Sequence, residues 1–147
     1  MTSTLVAPLS QGGFTFAIAP YRIDPNNLFL YHKTTNRRFY DDARKELNRS
    51  TGCDEVLFLN SLGELTEGSF TNLFVELDGK MLTPALSCGL LPGTLRQELI
   101  EQGQAREAIL TLDDLSRASA IWLGNSVRGL VPSAPVEAVK TERTIVT

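Results

Sequence analysis

The stretch that decides the fold runs from Glu55 to Thr83, EVLFLNSLGELTEGSFTNLFVELDGKMLT. Three apolar runs stand in it: Glu55–Asn60, Leu73–Leu77 and Lys80–Thr83. Each has the length of a strand and is bounded by turn formers. Asn60-Ser61-Leu62-Gly63-Glu64 reads as a turn that starts a hairpin. Asp78-Gly79 is the strongest hairpin signal in the chain, because a tight hairpin turn needs residues that tolerate the left-handed region. Between the hairpins lies Leu65–Asn72, small and polar, which interrupts two strongly apolar segments.

Toward the N-terminus, Phe14–Ala19 alternates in part and reads as a strand bounded by Pro20. Leu28–Tyr31 reads as a second short strand after the Asp24-Pro25-Asn26-Asn27 turn. Arg37–Ser50 has helical spacing, with Phe39, Ala43 and Leu47 on one face and Asp41–Lys45 as an i,i+4 ion pair; Gly52 is the stop. Toward the C-terminus, the Gly/Pro loop Ser87–Thr94 opens a helix over Leu95–Gln102 that stops at Gly103. Ala105–Leu112 reads as a strand, Asp113–Ala118 as a short acidic-start helix, and Ala120–Leu123 as a buried strand ending in Gly124-Asn125-Ser126. Arg128–Ala138, with two prolines, reads as a loop-rich return. Strands and helices alternate without the rhythm of a doubly wound sheet. The expected fold is a mixed α/β (α+β) domain, mostly antiparallel, with flanking helices.

At 147 residues the chain is long enough for one domain with a sizeable core. A net charge of −3 offers no basic field for nucleic acid. No apolar run approaches bilayer length, and Met1–Ser10 lacks the pattern of a secretion signal, so a cytoplasmic location is expected. Cys53 and Cys88 form neither a metal pair nor a disulfide framework and read as buried thiols. His32 is the single histidine, which argues against a multi-histidine metal site and against Ser-His-Asp chemistry. No metal is expected.

Lys33 sits between the expected strand Leu28–Tyr31 and the helix that begins near Arg37. A lysine held at such a junction can face a pocket, and partial burial frees its amine for Schiff-base chemistry. Read alone, it is an ordinary surface charge. Three further polar motifs stand at element ends: Glu67 in the small-residue break, Gly93-Thr94 at a helix start, and Asn125-Ser126 after a strand. Gly93-Thr94 suits a phosphate, because the N–H groups of a helix start bind anions. Each motif alone reads more simply as a turn or a cap.

Lys33-Thr34-Thr35-Asn36-Arg37, Leu65-Thr66-Glu67-Gly68 with Asn72-Leu73-Phe74, Gly89–Arg96 and Leu123–Ser126 together resemble the class IV (fold-type IV) pyridoxal-phosphate enzymes. That family includes branched-chain and D-amino-acid transaminases and aminodeoxychorismate lyase. The resemblance runs from about Tyr21 to about Pro132 in the right order. Asn36-Arg37 after Lys33, and Arg128-Gly129-Leu130 after Asn125-Ser126, are similar to the lyase branch, especially the lyase segment fused behind the chorismate-aminating synthase component.

The resemblance implies a pyridoxal 5′-phosphate site. In it Lys33 holds the cofactor as a Schiff base and shuttles a proton, and Glu67 bonds the pyridine nitrogen and keeps it protonated. Gly93, Thr94, Asn125 and Ser126 cradle the phosphate, and Leu91 presses on the ring. Arg37, Tyr40, Asn72 and Arg128 are supporting or substrate-side candidates. It implies a small-molecule amino substrate, a homodimer, and no nucleic-acid or membrane partner. Family members carry a smaller N-terminal domain that supplies a phosphate arginine and much of the substrate pocket. Here residues 1–13 read as a lead-in and residues 14–147 as the cofactor-binding domain, so the smaller domain is expected to be absent. Three readings stay open: a lyase releasing pyruvate and 4-aminobenzoate for folate synthesis, a transaminase for branched-chain or D-amino acids, and a truncated domain without catalysis.

Overall fold

The computed structural model describes residues 13–24 and 37–136. Lys33, His32 and the expected strand Leu28–Tyr31 lie outside those residues, and so does the side chain of Arg37. The elements in chain order are β1 (Phe14–Ile23), α1 (Arg37–Thr51), β2 (Glu55–Asn60), β3 (Leu65–Gly68), β4 (Asn72–Leu77) and β5 (Lys80–Pro84). A 3₁₀ turn (Leu86–Cys88) follows, then α2 (Thr94–Glu101), β6 (Arg106–Ala108), α3 (Leu112–Arg117), β7 (Ala120–Asn125) and β8 (Gly129–Pro135).

The strands form one sheet in the order β3-β2-β1-β8-β7-β4-β5-β6, and β3 also pairs with β4. That extra pairing closes β1, β2, β3, β4, β7 and β8 into a ring, with β5 and β6 carried outside it on β4. β1 runs parallel to β2 and β8, and β5 to β6. The other pairings are antiparallel, as the hairpin signals imply. Asp78 and Gly79 both have positive φ, 53° and 75°, the geometry a tight β4–β5 hairpin requires.

A closed ring has an inside and an outside, and strand alternation fills both. On β2, Leu57 and Leu59 point inward to Phe16, Leu65, Leu73, Val75 and Leu123. Leu110 and Leu115, before and within α3, join that core. Val56 and Phe58 point outward and meet Tyr40 and Ala43 of α1. On the far side Phe74 and Trp122 meet Leu99 of α2 and Ala105. Truncating an inner residue such as Leu57 to Ala would cost about 2–5 kcal/mol, because the closed ring collapses poorly around a void. Cys53 and Cys88 are free and buried, as expected. Burial, with Glu64 beside it, pushes the Cys88 thiol up to about 11.

Several expectations are corrected. β1 does not stop at Pro20 but continues to Ile23. Its register to β2 shifts between Ile18 and Arg22, so the proline falls in a bulge where no ladder N–H is needed. The polar break Leu65–Asn72 contains a whole buried strand, β3, and the first residue of β4. The supposed strand Ala105–Leu112 shrinks to β6, because Ile109 turns out to solvent and Leu110 turns into the ring core. The supposed return loop is β8. Its prolines are tolerated because Gly129–Pro132 pairs only with β7 and Ser133–Pro135 only with β1, so each half is flanked on one side. In α1, Asp41 makes its ion pair with Arg44 at 3.6 Å, where Lys45 was expected.

Candidate functional site

At one rim of the ring β3 ends, β4 begins and β7 ends. A cleft of ≈ 170 Å³ lies there, lined by Glu67 to Asn72, Leu91, Gly93, Thr94, Asn125 and Ser126. The structure therefore brings together Glu67, Leu91, Gly93, Thr94, Asn125 and Ser126, residues remote in sequence, with Asn72 beside them.

A bulge aims Glu67. Leu57 pairs with Gly68 and Leu59 with Leu65, so β3 has one residue more than β2 between the same two pairings. The extra residue flips the alternation after Leu65. Leu65 faces the ring interior, whereas Glu67 shares a face with its partner Asn72, opposite in phase to the inward Leu73. The carboxylate thus leaves the core and lines the cleft while staying buried, with Glu67 only 6% exposed.

The second wall is the start of α2. Gly93 is its N-cap, in extended backbone (φ −61°, ψ 159°), and no side chain caps the helix. The first-turn N–H groups and the Thr94 hydroxyl stand at the cleft with the positive end of the helix dipole. A Cβ on residue 93 would fall 2.3 Å from Asn72 Oδ1, so glycine keeps this approach open. Asn72 Nδ2 donates to the Leu91 carbonyl at 3.2 Å and ties this loop to β4. Leu91 is 41% exposed, an apolar side chain left at the cleft.

Asn125 has its polar atoms engaged by the protein. Its Oδ1 accepts from the N–H groups of Val127 and Arg128 at 3.0 and 2.9 Å, and its Nδ2 donates to the Phe70 carbonyl at 3.0 Å. It bolts the β7–β8 turn to the Ser69–Thr71 turn, and Ser126 is presented by that bolt. Tyr40 is not part of this cleft: its ring is wholly buried against Phe58 at 4.8 Å between centroids. Arg128 is exposed and stacks over the Phe14 ring at 5.5 Å, outside the lining.

Sequence reasoning missed Glu55 and Arg44. Glu55 is fully buried under the Ser69–Thr71 turn and accepts hydrogen bonds from it, while Arg44 Nη1 donates to Ser69 Oγ at 3.2 Å. An acid at an inward strand position, with a hydroxyl-rich turn to follow, was the available signal. The cleft as a whole offers an anion site at α2, a carboxylate suited to a protonated nitrogen, and an apolar side chain. A ligand carrying both a phosphate and a ring nitrogen fits this donor set.

A sequence model of the family described as Amino-transferase class IV matches residues 3–135. Among solved structures, a "Putative amino-acid aminotransferase" from Mesorhizobium loti superposes with a TM-score of 0.77 at 45% identity, over 86% of this chain and 61% of that one. The chain is 33% identical over 120 residues to the aminodeoxychorismate lyase of Saccharomyces cerevisiae, 70% of this chain and 32% of that protein. It is 30% identical over 137 residues to that of Bacillus subtilis, 90% of this chain and 45% of that protein. It spans less than half the length of the first curated relatives it matches. Among the described residues no helix is long and apolar enough to cross a membrane. The chain belongs to the class IV aminotransferase family, whose enzymes depend on pyridoxal 5′-phosphate.

Proposed function

We propose that the rim cleft holds pyridoxal 5′-phosphate and that the complete enzyme is a 4-amino-4-deoxychorismate lyase, releasing pyruvate and 4-aminobenzoate. The observation that supports this is the gathering of Glu67, Leu91 and the uncapped α2 start in one cleft. The N–H groups of α2 with the hydroxyls of Thr94 and Ser126 hold the phosphate. Glu67 keeps the pyridine nitrogen protonated, and its burial strengthens that contact. Leu91 covers one ring face. Asn72 and Asn125 orient the two loops that carry these groups. When bound, the cofactor supplies an electron sink for the carbon that bears the substrate's nitrogen. Lys33 would carry the cofactor, and its amine would serve as the base that takes the proton from that carbon. Loss of pyruvate then leaves the aromatic ring of 4-aminobenzoate, and aromatisation supplies driving force.

The second reading is a transaminase acting on branched-chain or D-amino acids, favoured by the likeness to the Mesorhizobium loti structure. Its first steps use the same residues. In either reading the enzyme is a cytoplasmic homodimer, and a smaller domain, of the kind the resemblance implies, completes the pocket. On that picture the chain by itself holds the cofactor weakly and turns over slowly. In the lyase reading the product feeds folate synthesis.

Borohydride reduction of the chain loaded with pyridoxal phosphate, followed by peptide mapping, should place the label on Lys33. Labelling mainly at Lys45, Lys80 or Lys140 would overturn the assignment. Product analysis of the complete enzyme separates the readings, pyruvate with 4-aminobenzoate against a keto acid.

A further inference from the structure

Glu55 lies at the inner end of the rim, wholly buried. Its Oε1 accepts from the N–H of Val56 at 2.8 Å, the N–H of Ser69 at 3.0 Å and the Ser69 hydroxyl at 2.6 Å. Its Oε2 accepts from the N–H of Phe70 at 3.0 Å and the Thr71 hydroxyl at 2.8 Å. All but the Val56 bond come from the turn that joins Glu67 to Asn72 across the cleft floor. Ser69 has one hydroxyl proton and gives it to Glu55, so a lone pair accepts from Arg44 Nη1 at 3.2 Å. Arg44 also lies 5.3 Å over the Phe70 ring, clamping the turn from outside. The backbone passes so close to the carboxylate that a Cβ on residue 68 would fall 2.4 Å from Oε2.

We infer that Glu55 is a positioning residue for the cleft, acting through the Ser69–Thr71 turn and not on the ligand. A carboxylate has only acceptor sites, so it binds backbone N–H groups and hydroxyl protons at the same time. Two consequences follow from the geometry. The turn is fixed at both ends, which sets Glu67 on one side and Asn72 on the other. The Ser69 and Phe70 N–H groups and the Ser69 and Thr71 hydroxyl protons are also taken up beneath the floor and are not offered to a ligand. The α2 start and the Ser126 hydroxyl then remain as donors at the cleft, so an anionic group is directed to them and away from those turn groups. Glu55 does not line the cleft itself.

The test uses the full chain with Glu55→Gln, and Leu115→Ala as a destabilised control, since Leu115 packs in the ring core and does not line the cleft. In Glu55→Gln an NH₂ group replaces one oxygen and must face a backbone N–H that cannot turn round. Amide exchange at Ser69 and Phe70 should quicken at least tenfold while β4 and β7 amides keep their protection. The dissociation constant for pyridoxal phosphate, read by absorbance titration, should rise at least tenfold. Leu115→Ala should lower the melting temperature without either change. Thr71→Val removes one donor while keeping shape, and should show the same pattern at smaller size; it reads the hub if Glu55→Gln does not fold. Unchanged exchange at the turn, exchange that quickens equally in the control, or unchanged cofactor affinity would each overturn the role. The affinity half rests on the cleft being a cofactor site, and the exchange half does not. A wild-type chain that binds no pyridoxal phosphate would sink the proposed function and leave the exchange rates to decide the role of Glu55.

Discussion

Two short helices of this chain begin in opposite ways. α3 starts with a full capping box: Thr111 Oγ1 accepts from the Asp114 N–H at 3.4 Å, and Asp114 Oδ2 accepts from the Thr111 N–H at 2.9 Å. α2 starts with Gly93 and no capping side chain. A capped start already has partners for part of its donor set, here the N–H groups of Thr111 and Asp114. An uncapped start facing a cleft is an unfilled set of donors with a favourable dipole. What anchors α2 instead is Arg96 in its first turn. That side chain is fully buried and donates to the Pro84 carbonyl at 3.0 Å, to Gln97 at 3.1 Å and to the Glu107 carboxylate. The helix is held from its flank, and its tip is left open.

The sharpest way to break this comparison is Thr94→Asp. An acid in the first turn of a helix stabilises it by about 0.3–1 kcal/mol through the dipole. At a phosphate site the same charge repels the ligand. Melting temperature should hold or rise, while affinity for pyridoxal phosphate should fall about a hundredfold, equivalent to ~2.7 kcal/mol. If only the stability moves, the α2 start is an ordinary turn. The complementary change is Thr111→Ala in the closed helix. It should lower stability by about 1 kcal/mol, read by urea unfolding, and leave cofactor affinity untouched. A loss of affinity there would mean that the two helix starts are coupled.

Much of this contrast was legible in the sequence, but unevenly. The hairpin strands, α1 and α2 could be read from apolar spacing and Gly/Asp turns, because local chemistry decides them. Glu67 and Gly93-Thr94 stood out as polar groups at element ends. The bulge that swings Glu67 out of the ring is a mismatch between two strands, and neither strand records it alone. Ring closure depends on the pairing of Glu67 with Asn72, a contact whose geometry follows from the buried Glu55 below it. β8 was hidden by its prolines, which forbid a strand flanked on both sides but not one that changes partner halfway. The resemblance offered Tyr40 as a supporting candidate; helical phase turns its ring into the core beside Ala43. The junction that carries Lys33 lies outside the described residues, so its part in the site rests on resemblance.

The smallest expected effect concerns the flank that holds α2. The Arg96 guanidinium beside Glu107 keeps that carboxyl below its ordinary value of 4.5. A carboxyl whose folded pKa is depressed contributes stability above its unfolded pKa and loses it as pH falls through the folded one. The contribution should therefore be complete above about pH 5 and fade below about pH 4. Glu107 has 43% of its side chain exposed, so solvent screens the pair and about 0.5–1 kcal/mol is expected. The wild-type curve sums the contributions of every carboxylate in the chain. The difference between wild type and Glu107→Gln, followed by urea unfolding from pH 7 to pH 3, removes the shared part. That difference should be positive at neutral pH and shrink toward zero in acid. Because Arg96 keeps its bonds to Pro84 and Gln97 in the variant, α2 should stay docked and its open tip should bind pyridoxal phosphate at neutral pH as before. A difference that is flat with pH, or a variant that loses the cofactor, would show that the tip of α2 is not independent of the flank that carries it.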